Sequence, residues 1–122
     1  SLKRLERAGK KIDDAEFCTE LQLLIRRYLD FRFGYRFSAV SSPAIMDTFE
    51  KIMADAMSEK TQSGAMSLAA VLRRTDYVRY ARGSIDSKKE PAEEFAADLK
   101  ADERSSLIRI VRDAVERFEG DN

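Results

Sequence analysis

Residues 26 to 37 read "RRYLDFRFGYRF", arginines alternating with aromatic rings. Two chemistries use that mixture. Rings on an open platform beside a basic groove stack bases while guanidinium groups hold phosphates. Alternatively, a helix end spends its rings on a core and lays arginine stems over them, with the charged heads hydrated or paired. Tyr28 and Leu29 continue an apolar stripe from the preceding residues, and Asp30 interrupts the basic run. The spacing therefore favours the second use. The candidate contact residues are Arg26, Arg27 and Arg32, with Asp76 and Arg79 from the later run "LRRTDYVRYARG". An aspartate inside a helix has poor propensity. Its carboxylate is expected to meet an arginine of the first long helix, Arg27 or Arg32. With no external partner, the five would form an ionic network between the first and third helices.

Other chemistry finds little support. The chain has no histidine, which removes the commonest general base and metal ligand together. Cys18 is the single cysteine, with no histidine to activate it, and reads as a small core or boundary residue. The carboxylates Asp13, Asp14, Glu16, Glu93, Glu94, Asp102 and Glu103 fall at helix starts and polar faces, where capping and solvation account for them. No EF-hand loop, Walker loop or G-x-G-x-x-G occurs. The expectation is a protein without catalysis, metal or cofactor.

The elements that must position these residues are helices. The 122 residues are one ordinary domain in length, 43% hydrophobic and 36% charged, with only five Gly and two Pro. Basic and acidic residues balance at 22 each, so no global field draws the chain onto nucleic acid. Residues 1–40 carry nine basic and six acidic side chains, and residues 84–122 carry seven and eleven. Such asymmetry serves pairing between faces of one molecule, or a partner patch. No run approaches the roughly 20 apolar residues of a membrane span.

Residues 1–12 are a basic, loose or helical lead-in that offers little core and is interrupted at Gly9. A single helical domain is expected over 13–119, with a tail at 120–122. The first strong helix is capped by Asp13 or Asp14, carries the stripe Phe17, Leu21, Leu24, Ile25, Tyr28, Leu29, and stops at Gly34. "YRFSAVSSP" is a connecting loop whose rings fold back. A second helix starts at Pro43 or Asp47 and buries Phe49, Ile52, Met53 and Ala56. "SEKTQSG" is a polar break. A third helix carries Leu68, Val71, Leu72 and Val78 inward, with Tyr77 or Tyr80, and ends at Gly83. Pro91 opens the last, with Glu93 and Glu94 in its first turn. Its stripe is Phe95, Leu99, Leu107, Ile110, Val111, Ala114 and Phe118, with a weak stretch at 100–106. The sum is an all-α fold, a small bundle of about four main helices with no significant sheet.

Two segments resemble a known family. "LIRRYLDFRFG" (24–34) is similar to the L-x-R-R-Y-L-x-x-R-F-G signature in the cytoplasmic part of BatD-like bacterial proteins, and "LRRTDYVRYARG" (72–83) to that family's L-x-x-A-D-x-V-K-F-A helix. Thr75, Arg79 and Tyr80 stand where the family usually has alanine, lysine and phenylalanine, changes that preserve character. The resemblance implies a non-catalytic interaction domain on the cytoplasmic side of the inner membrane, preceded by a membrane anchor upstream of Ser1. It also implies MoxR-type AAA+ ATPases and von Willebrand factor A domain proteins as partners. The basic "KRLERAGKK" would suit a position just inside a membrane. The alternative reading is a soluble helical nucleic-acid-binding regulatory domain that uses the same arginines.

Overall fold

The computed structural model describes residues 2–80 and 98–120. Among them the fold is all-α, with five α-helices and no strand. They are α1 (Leu2–Ala8), α2 (Asp14–Phe33), α3 (Ile45–Met53), α4 (Glu59–Tyr80) and α5 (Glu103–Glu119).

The long helix α2 has chemical signals at both ends. Asp13 Oδ1 accepts the Glu16 backbone N–H at 2.8 Å, filling one of the open donors of the first turn. At the other end Gly34 takes φ 65° and its N–H donates to Asp30 O. That left-handed backbone costs a glycine nothing in side-chain clash. Phe17, Leu21, Ile25 and Leu29 are fully buried between these limits. Tyr28, expected deep in the same stripe, is only half-buried, because its hydroxyl reaches out to donate to Glu119 Oε1 at 2.8 Å.

Helix α4 lies antiparallel to α2 and α5. Its late residue Arg74 meets Glu103 at the start of α5, and its early residue Gly64 sits against Phe118 at the end of α5. The stretch "SEKTQSG" is therefore not a break. Ser58 Oγ accepts the Thr61 N–H at 3.1 Å and starts α4 there. Gly64 continues the helix because a side chain would not fit. A Cβ would stand 2.9 Å from Phe118 Cε1 and 3.3 Å from Ala114 O. Leu68, Val71, Leu72 and Val78 continue the buried face of α4, and Leu107, Ile108, Val111, Ala114 and Phe118 are the buried residues of α5, which packs along it.

Other expectations need correction. The connection after Gly34 is built from two 3-10 turns, Phe37–Ala39 and Ser42–Ala44, before α3 begins. Pro43 stands in the second turn, so the chain turns helical ahead of Asp47. Ile45, Thr48 and Phe49 are the buried residues of α3; Ile52 and Met53 are half-buried and Ala56 is exposed. The lead-in gives more to the core than expected, since Leu5 of α1 is buried and Arg112 of α5 holds Glu6 at 2.9 Å. On α5, Ile108 is buried where Ile110 was expected; Ile110 is half-buried. Residues 98–102 precede α5 without joining it. The expectations for Gly83, the 84–90 loop, Pro91, Glu93, Glu94 and Phe95 lie outside the described residues.

Candidate interaction groove

The stretch "RRYLDFRFGYRF" is helical through Phe33 and then turns at Gly34. Its rings divide. Phe37 is fully buried and Phe33 is half-buried, 5.1 Å from the Phe49 ring and 5.2 Å from Phe118. Phe31 is 90% exposed and Tyr35 is exposed as well. One ring of the four is thus fully in the core and a second lies against it.

The arginines divide too. Arg26 turns inward along the connection. Its Nη1 donates to Phe37 O at 2.8 Å and Val40 O at 2.5 Å, and its Nη2 to Ser42 Oγ at 3.2 Å. Three acceptors across six residues of irregular chain are thereby satisfied by one planar fork. Arg32 works at the opposite side of α2. It donates to Phe118 O at 3.1 Å, stands 4.0 Å from a Glu119 carboxylate oxygen, and lies 5.2 Å from its neighbour's ring, Phe33. Arg27 is exposed on the outer face of α2.

Asp76 meets neither Arg27 nor Arg32. Its Oδ1 accepts from Gln22 Nε2 at 2.5 Å and stands 3.9 Å from Arg79 Nη1, one turn along its own helix. The antiparallel crossing explains this. The late half of α4 faces the early half of α2, so the residue opposite Asp76 is Gln22. That glutamine is buried and joins the two helices. Its amide nitrogen also donates to Thr75 Oγ1 at 2.9 Å, and its Oε1 accepts from Arg79 Nη1 at 2.6 Å. Sequence reasoning missed Gln22; the available signal was one polar residue inside the apolar run "LQLLI".

Arg26, Asp76 and Arg79 therefore come together, whereas Arg27 and Arg32 lie apart from them. The three border a groove between the 38–46 segment and the late half of α4. The groove has two adjoining hollows, of about 560 Å³ and 510 Å³, which share Ser42, Pro43 and Asp76. Pro43, Met46, Ala69 and Tyr77 give the first an apolar floor, with Arg73 at its edge. The second is more polar, with Gln22, Arg26, Arg79 and Tyr80.

Two further arginines, absent from the candidates, hold the molecule together. Arg74 is nearly buried and grips Glu103 with two bonds, 2.6 Å from Nε and 3.0 Å from Nη2. That fork, first, draws the Glu103 carboxyl below its ordinary range, against the opposing effect of burial. Arg104 donates to Asp14 at 2.8 Å and to the carbonyls of Gly9 and Ile12. Beside this cluster Cys18 is buried, and burial first, then the Asp14 charge, pushes its thiol up to about 12. Among the described residues no group of three or more His, Cys, Asp or Glu is arranged to hold a metal ion, and no helix is long and apolar enough to cross a membrane.

Comparison of the chain with models of known protein families, with curated proteins and with solved structures finds no match.

Proposed function

We propose that this domain is a non-catalytic protein-interaction module whose binding face is the groove between residues 38–46 and α4. The observation that carries this reading is the apolar floor of Pro43, Met46, Ala69 and Tyr77 beside the guanidinium of Arg73, on walls already fixed by Arg26 and Gln22. The matching partner is a peptide segment with an apolar side chain for the floor and a carboxylate for Arg73. The resemblance to BatD-like proteins suggests where such a segment resides: on a MoxR-type AAA+ ATPase or a von Willebrand factor A domain protein, at the cytoplasmic face of the inner membrane. The exposed Lys3, Arg7 and Lys11 of the lead-in agree with a place beside an anionic surface.

Calorimetric titration against both partner classes tests the reading. Ala69→Trp, which fills the floor, and Arg73→Glu, which reverses the edge charge, should each weaken binding by about tenfold or more, or about 1.4 kcal/mol. Equal binding by wild type and both variants would remove the groove from consideration. Binding to single-stranded DNA or RNA that falls steeply with salt would move the function to the nucleic-acid class.

A further inference from the structure

A separate apolar pocket of about 220 Å³, partly open to solvent, lies among α1, α2, α4 and α5 and shares no lining residue with the groove. Its walls are Leu2, Leu24, Ile25, Leu68, Val111 and Val115, with the ring of Tyr28. Six of these seven side chains are aliphatic. The seventh has its only polar atom engaged, since the Tyr28 hydroxyl donates to Glu119 Oε1 at 2.8 Å. Burial of that phenol, reinforced by the Glu119 bond, moves its ionisation well above the ordinary tyrosine range. Water in the pocket finds no polar partner on these walls and is held only by neighbouring water, so an apolar group that displaces it is favoured.

We infer that this pocket is a binding site for a small neutral hydrocarbon group, of the size of an alkylbenzene ring. The site is framed by rigid pieces. Ile25, Leu68 and Val111 are at most 3% exposed and belong to the packed core. Leu2 bounds it on the α1 side, and α1 is held in place by buried Leu5 and by the Glu6–Arg112 pair. Selection follows from the walls. A hydroxyl pressed against these walls would lose part of its hydration and find no replacement among the lining side chains. Toluene should therefore enter far better than phenol, although the two have nearly the same shape.

The test is a titration of the whole chain with toluene, followed by the ¹³C-methyl NMR signals of Leu24, Ile25, Leu68, Val111 and Val115. Saturable shifts of these methyls, with a melting temperature that rises with toluene concentration, are expected. Phenol should bind at least about tenfold more weakly. Val115→Phe and Leu24→Phe each place a ring in the space from a half-buried position. Either should weaken toluene binding by about tenfold or more while the chain still melts cooperatively. Methyl signals of the folded wild type that stay still at saturating toluene overturn the inference, whatever the variants do. So does phenol binding as tightly as toluene, or toluene shifts that persist unchanged in a folded filled variant. The result is independent of any binding in the groove.

Discussion

Helices α2 and α5 run in the same direction, both packed on α4, and different chemistries link the two ends of the pair. At the Phe33–Phe118 end, rings meet rings. Phe33, Phe37, Phe49 and Phe118 form a cluster with centroids between 5.0 and 6.2 Å apart. At the Asp14–Arg104 end, forked arginines hold carboxylates and the backbone carbonyls of the preceding turn. The ring end gains most of its stability from area removed from water, a term indifferent to pH and strengthened by excluded salts such as sulfate, with the Arg32 and Tyr28 contacts to Glu119 beside it. The arginine end relies on charge state and on geometry. Its gain is nearly offset by desolvation, so it contributes more to the placement of the chain than to net stability.

The largest test of that contrast is Phe118→Ala. It removes the ring shared by Phe33, Phe49 and Tyr28, and it should cost about 3–5 kcal/mol in urea unfolding. The same loss should appear at pH 4 and pH 8. A cost under about 1 kcal/mol, nearer to a surface change, would mean the ring end is not the anchor.

Next in size is Arg74→Met, which leaves the Glu103 carboxylate partly buried without its fork. About 1–3 kcal/mol should be lost at neutral pH. The acid side sharpens the point. Glu103 is held below its unfolded value of 4.5. Its stabilising contribution is therefore present above pH 4.5 and is lost as pH falls through the lowered folded value. Glu103→Gln should flatten that part of the stability-against-pH curve. An unchanged acid slope in the variant would detach the pair from acid unfolding.

Gly64→Ala tests the fit of α4 on the ring end. The alanine gains about 1 kcal/mol of helix propensity, yet its Cβ must displace the Phe118 ring. Overpacking of this kind costs about 1–3 kcal/mol. A net loss of about 1 kcal/mol is expected from these two terms, and Phe118→Leu in the same chain should recover part of it. Additive losses in the double variant would show that the two positions do not touch.

The smallest effect is expected outside both ends. Ala54 closes α3 with φ 47° and ψ −126°, a conformation that strains any residue with a side chain. Ala54→Gly should gain about 0.5–1 kcal/mol, the strain relieved less the added freedom of the unfolded chain. A loss of stability on thermal melting would place the turn in an ordinary conformation.

How much of this was legible in the sequence depended on the kind of signal. The limits of α2 were readable because Asp13 and Gly34 act through their own local chemistry. The start of α4 was not. Gly64 and its polar neighbours have the composition of a turn, and only Phe118, far away in the chain, makes glycine the residue that fits. Within "LRRTDY" a rotation of one residue decides which arginine is buried; Arg73 went to the groove edge and Arg74 to the Glu103 fork. The groove was half visible. Asp76 and Arg79 stood out as charges in a helix, but the facing wall is made of 3-10 turns, which carry no long periodicity to read. Gln22 was passed over because one amide barely disturbs an apolar stripe.

The grip of Arg26 on Phe37, Val40 and Ser42 has a consequence for time as well as for shape. The wall it secures is tied down by this one side chain, so the partner proposed for the groove would meet a finished surface. Encounter should then proceed at the ordinary rate for two rigid patches, roughly 10⁵–10⁷ M⁻¹s⁻¹, without a slow ordering step. Differences between good and poor partners would appear as differences in residence time. Loosening the wall by Arg26→Ala would shift part of that discrimination into the arrival step, since each visitor would have to wait for the chain to settle.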